Sequence, residues 1–181
     1  MITDFVRDHA FTIAWLGLMA FVWFGWGQED PPPTWRWRLG LGSGVGVVLA
    51  GVFGSSVAAH WSDGSVLEGR YHWFGLLVAI EVLAAGLGCL VLARRRATRW
   101  MAWWVAMVVA LHFVPLAVLL DDWSLAVLGS IQVLFLAVLV PRLRRATGVT
   151  SRLVGPVMGG TLLAFAVVSL VVFLTTTGSP W

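Results

Sequence analysis

Within runs of mostly apolar or small residues, three larger polar side chains stand out: Glu81, His112 and Gln132. A carboxylate beside an imidazole can hold or relay a proton, counter a cationic ligand, or act as an acid–base pair, and an amide adds a neutral donor and acceptor. Such groups are not placed in an apolar run at random. An acidic or basic residue at the centre of a membrane helix costs about 2.5–3.5 kcal/mol even on lenient insertion scales, so it faces the bundle, finds a partner or is neutralised. Counted inward from the ends of the runs on one common side, Glu81 lies nine residues below His72, His112 eight below Leu120, and Gln132 nine below Trp123. All three therefore sit about 12–14 Å deep by helix rise. A common depth on three consecutive helices predicts a ligand- or proton-binding cluster, provided that their faces converge. Polar residues that only join helices by hydrogen bonds would show the same pattern.

The neighbouring residues favour convergence for two of the three. Glu81 shares a helical face with Ala84, Ala85 and Gly88, small residues that suit a packed face. His112 is followed by Pro115, which has no N–H for the carbonyl of Leu111 and is expected to kink the helix. A kink beside an ionisable group would open a local cavity.

A second concentration of ionisable residues comprises Asp8, His9, His60, Asp63, Glu68, His72, Asp121 and Asp122 near the ends of the runs. His9, His60, His72, Asp121 and Asp122 are metal-ligand types, but without the tight spacing of a metal motif they read as solvated loop residues, and no metal is assigned. No phosphate loop, serine elbow or zinc signature occurs, so the sequence names neither a catalytic residue nor a cofactor.

The elements that position these groups follow from hydropathy. The 181 residues are 59% hydrophobic and 12% charged, with a mean hydropathy of +0.88, far from the composition of soluble domains. Six apolar stretches stand out, Ala10–Trp26, Leu39–His60, His72–Ala93, Trp100–Leu120, Ser124–Val140 and Leu153–Leu174, each 17 to 22 residues long. As helices these lengths match a hydrocarbon core roughly 30 Å thick, and helices alone satisfy the backbone of such runs in lipid. The expected fold is a single all-α membrane domain: a polytopic bundle of six transmembrane helices.

Arginine placement orients the bundle. Of twelve basic residues, all Arg, ten lie on one side: Arg36, Arg38, Arg94, Arg95, Arg96, Arg99, Arg142, Arg144, Arg145 and Arg152. Only Arg7 and Arg70 lie on the other, so the first side is expected in the cytoplasm and both termini outside. Eleven of the twelve tryptophans fall near one interface or the other, an aromatic belt, and only Trp15 lies well inside a span. Asp4, Arg7 and Asp8 give the first segment a net charge of −1, where a secretory signal is positive, so the first span is expected to remain in the mature protein. The lone Cys89 lies within an apolar run, and the all-Arg usage fits a bacterial plasma membrane protein. The net charge of +3 is accounted for at the headgroups, and no nucleic-acid partner is expected.

Small residues mark helix packing. Gly42, Gly46, Ala50, Gly54 and Ala58 recur every fourth residue in the second run, and Gly155 and Gly159 repeat that spacing in the sixth. The second span is thus the expected bundle centre, or else the face of a homo-oligomer. The stretch Tyr71–Ala117, with "LLVAIEVLAAG", an arginine turn and "ALHFVPLA", resembles a family of small multispanning bacterial membrane proteins of uncharacterised function. The resemblance implies no activity. From the residues themselves, the expected function is small-molecule or proton-linked transport or binding at Glu81 and His112. A membrane enzyme acting on a lipid or isoprenoid, and an accessory subunit of a larger membrane complex, are the alternatives.

Overall fold

A computed structural model of the chain describes residues 5–181, and Asp4 lies outside the described residues. Six helices follow one another: α1 (Val6–Gly27), α2 (Arg36–Ala59), α3 (Tyr71–Arg94), α4 (Met101–Leu119), α5 (Trp123–Arg145) and α6 (Ser151–Thr176). All six are long and apolar enough to cross a membrane, which makes the chain an all-α, multi-pass membrane protein. Local chemistry sets several of their ends. Pro33 begins the single 3₁₀ turn that leads into α2, where a missing N–H costs nothing. Asp122 Oδ1 accepts the Ser124 N–H at 3.0 Å and caps α5. Gly178, at φ +86°, closes α6 in the left-handed conformation.

The centre of the bundle is α1, which is held between α2 and α6. A Cβ on Gly46 would lie 2.5 Å from Gly17 O, and one on Gly155 would lie 2.6 Å from Gly27 Cα. Both approaches bring backbone against backbone, which only small residues permit. Phe24 is clasped between them, its ring facing Gly42 on one side and Gly159 on the other. Ala50 belongs to the same contact, since its N would lie 3.3 Å from a Cβ on Gly17.

Two expectations need correcting here. The second span is a flank of the bundle, packing chiefly on α1 and to a lesser extent on α6. Gly54 packs against no other helix of this chain, because a Cβ there would meet nothing within 4 Å. The reason is geometric: a four-residue step overshoots a helical turn by about 40°, so the stripe has rotated by about 120° between Gly42 and Gly54.

The loops α1–α2, α3–α4 and α5–α6 are stitched together at one end, which carries most of the arginines. Arg99 Nη2 donates to the carbonyls of Leu143 and Ala146 at 2.5 and 2.6 Å. Thr150 Oγ1 donates to Arg99 O at 2.7 Å, and Ser151 Oγ donates to Glu29 Oε2 at 2.6 Å. Arg152 pairs more loosely with Asp30, at 3.9 Å between two half-exposed groups. At the opposite end Arg7 donates to Trp61 O at 2.9 Å, and Asp8 Oδ2 accepts the Val66 N–H at 2.8 Å. The loop between α2 and α3 is thereby fastened over the start of α1.

α3 stands apart. None of its residues is buried, and its only substantial helical neighbour is α4. Trp104 ties the two: its indole Nε1–H donates to Ala84 O at 3.1 Å, and a Cβ on Gly88 would collide with that indole.

A membrane-depth cavity with a carboxylate and an imidazole

The Trp104 anchor fixes the register between α3 and α4. Gly88 sits against Trp104, and moving seven residues back along α3 and eight forward along antiparallel α4 brings Glu81 level with His112. Glu81 Oε2 stands 3.3 Å from His112 Nδ1, although the alignment falls short of a hydrogen bond, leaving Nδ1 buried without another partner. Both side chains are largely covered, His112 with 10% of its surface exposed and Glu81 with 22%. The pair is thus close enough to exchange a proton, and nothing else among the described residues competes for the imidazole nitrogen.

The pair lies on the wall of a cavity of about 320 Å³ between α1, α3 and α4, within the usual range for small-molecule sites. Phe11, Trp15, Met19 and Trp23 of α1 face Phe74 and Val78 of α3 across it, with Val109 and Phe113 contributed by α4. Leu125 and Leu162 complete the lining from α5 and α6. Because α1 and α3 are not substantially packed together, the cavity is open on that side, where Phe11 and Trp15 are about half exposed. In a bilayer that opening faces lipid. Towards the terminal end the cavity adjoins a smaller one of about 50 Å³ that shares Phe11, Thr12, Phe74 and Leu120 with it and adds Asp8 and Asp122.

Other expected site residues lie elsewhere. Gln132, which depth alone groups with Glu81 and His112, is fully buried and donates through Nε2 to Thr161 Oγ1 of α6 at 3.0 Å. It joins α5 to α6 and does not line the cavity. Pro115 sits inside α4, which continues through it to Leu119, and it lines a separate groove with Arg70 and Trp73 on the other side of the α3–α4 contact. The cavity at Glu81 therefore comes from the gap between α1 and α3.

The metal-ligand types at the terminal end are dispersed. His9 is buried between α1 and α6, with Nε2 at 3.0 Å from Ser169 Oγ and 3.1 Å from Ser169 O. His60 Nδ1 contacts Ser56 O within its own helical turn at 3.0 Å, while His72 is exposed beside Trp73. Asp121 is exposed in a left-handed turn at φ 54°. Asp122 is the α5 cap; burial alone would raise its carboxyl, but hydrogen bonds, those with Ser124 among them, outweigh burial and hold it below the ordinary carboxylate range. The described residues contain no group of three His, Cys, Asp or Glu side chains placed to share a metal ion.

Sequence reasoning missed the aromatic wall on α1. Trp23 is buried, and Phe11, Trp15, Met19 and Trp23 recur at every fourth residue, a single helical face. That spacing was the available signal. Trp103 is likewise structural, its indole N–H donating to Leu136 O at 3.2 Å.

In comparisons with protein-family models, curated proteins and solved structures, nothing matches this chain.

Proposed function

We propose that this protein binds a small molecule within the bilayer and couples its binding or passage to proton exchange at Glu81 and His112. The observation that carries this is the 3.3 Å approach of the two side chains on the wall of a largely apolar cavity. A proton added to or taken from either group changes the charge seen by an occupant. An intramembrane ionisable residue that only joined helices would be expected in a closed contact, as Gln132 is with Thr161. The arginine bias supports a bacterial plasma membrane with both termini outside. The open side between α1 and α3 also suits a second reading, an enzyme that takes a lipid or isoprenoid substrate from the bilayer and uses Glu81 and His112 as acid and base.

The test is infrared spectroscopy of the purified protein in lipid nanodiscs across about pH 5–8, the interval in which an ordinary histidine titrates. The carboxyl band removed by Glu81→Gln should titrate, and its midpoint should move in His112→Gln. A Glu81 band that is constant over this interval and indifferent to His112→Gln would overturn the proton-linked proposal.

A further inference from the structure

We infer that the occupant of the cavity is a lipophilic cation, an inference that rests on the binding site proposed above. Charge is the first argument. Among the described residues, Glu81 and His112 are the only ionisable side chains lining the cavity; the adjoining pocket adds Asp8, which lies beside Arg7, and Asp122, which is engaged as the α5 cap. Among the described residues neither space is lined by an arginine. Arg7 is engaged with Trp61 O and lies 3.7 Å from Asp8, and Arg70 belongs to the separate groove by Pro115. A cavity whose described lining carries one carboxyl, one imidazole and no arginine discriminates against anions.

The walls supply the second argument. Phe11, Trp15, Trp23, Phe74 and Phe113 put five aromatic rings around the space. Ring faces attract a cation, most strongly where it has shed its water, and they offer apolar area to the substituents that make a cation lipid-soluble. A hydrated metal ion is a poor fit, because the described residues offer no cluster of three metal-type ligands. The opening between α1 and α3 gives a bilayer-dissolved molecule direct access.

Proton accounting closes the scheme. Before binding, the pair holds one proton as carboxylate and imidazolium, or as carboxyl and neutral imidazole, with zero net charge either way. A monovalent cation that binds beside the carboxylate of Glu81 as His112 becomes neutral releases that proton and keeps the site at zero charge. Among the described residues, His112 of α4 is the one other titratable side chain on the cavity wall with Glu81, while Asp8 of α1 and the α5 cap Asp122 lie in the adjoining pocket. Uptake of a permanent cation should therefore release one proton and strengthen as pH rises.

The experiment uses the full chain in phosphatidylcholine nanodiscs with three probes of similar shape: tetraphenylphosphonium, tetraphenylborate and neutral tetraphenylsilane. Binding is read by tryptophan quenching and by proton release in weak buffer, with Val78→Trp and Val109→Phe as independent cavity-filling controls. The expected result is phosphonium binding that is lost in both filled variants, falls at least tenfold in Glu81→Gln, and is accompanied by proton release. Silane or borate binding as tightly as phosphonium, yet lost in the filled variants, would overturn the cation inference while leaving the binding site standing. Phosphonium binding unaffected by Glu81→Gln would also overturn it. If no probe responds to cavity filling, both the inference and the small-molecule site fail.

Discussion

Replacing Gly46 by Ala adds one methyl group at the tightest crossing of the bundle. The new Cβ would fall 2.5 Å from Gly17 O and 3.1 Å from Phe21 N, where ordinary contact begins at 3.4 Å. Both obstructing atoms are backbone, so no side chain can rotate away and α1 and α2 must part by up to about 0.9 Å on that line. A gap of about 0.5–1 Å forfeits a quarter to a half of the attraction between facing atoms, and overpacking of this kind costs about 1–3 kcal/mol. Alanine returns about 1 kcal/mol through its better helix propensity, leaving a net loss of up to about 2 kcal/mol, or up to about 8 °C in melting temperature for a chain of this length. Gly54→Ala is the matched control: it gains the same propensity and meets nothing within 4 Å, so it should melt at or above wild type. Circular dichroism melts in detergent compare the two. A Gly46→Ala protein that melts with or above Gly54→Ala would show that α1 and α2 do not meet backbone to backbone at Gly46.

Three further outcomes are expected. Asp122→Ala removes the α5 cap, whose carboxyl lies below its ordinary value of 3.8 in the folded chain. Its contribution is therefore present above pH 3.8 and lost as pH falls through the lower folded value, so wild type should out-melt the variant at pH 7 and lose that advantage in strong acid. Trp104→Phe deletes the indole bond to Ala84 O and should cost about 1 kcal/mol, seen as faster amide exchange in α3 than in α6. In a Cys89→Ser background, single cysteines at Gly64 and Thr177 should react with an impermeant thiol reagent outside intact cells while one at Ala97 does not; reversed labelling would refute the orientation, and opposite labelling of Gly64 and Thr177 would refute six crossings.

Hydropathy made the six helices legible because lipid leaves the backbone no other choice, but it stopped short at polar ends. The run Ser124–Val140 underestimates α5, which continues through Pro141 to Arg145, since arginines beyond the hydrocarbon extend a helix without looking apolar. Depth along each helix was readable by counting residues, which is why Glu81 and His112 were paired. Rotation about each axis was not readable: Gln132 lies at a similar depth but faces Thr161, and only the packing of α5 against α6 determines that. The glycine stripe announces a close crossing without naming the partner, and of the aromatic face of α1 only Trp23 reads as interfacial in the sequence, because tryptophan suits both places.

The clasp of α1 by α6 has a consequence for biosynthesis. His9 and Ser169 are 160 positions apart, so the surface of α1 that receives Gly155 and Ser169 has no protein partner until the last helix leaves the ribosome. Contacts of such wide sequence separation are slow to form, and a growing chain must keep that strip shielded by lipid or by an insertion factor until then. A ribosome stalled before Ser151 would release a chain of α1–α5 with the Trp23–Gly27 edge of α1 uncovered, a substrate for membrane quality control.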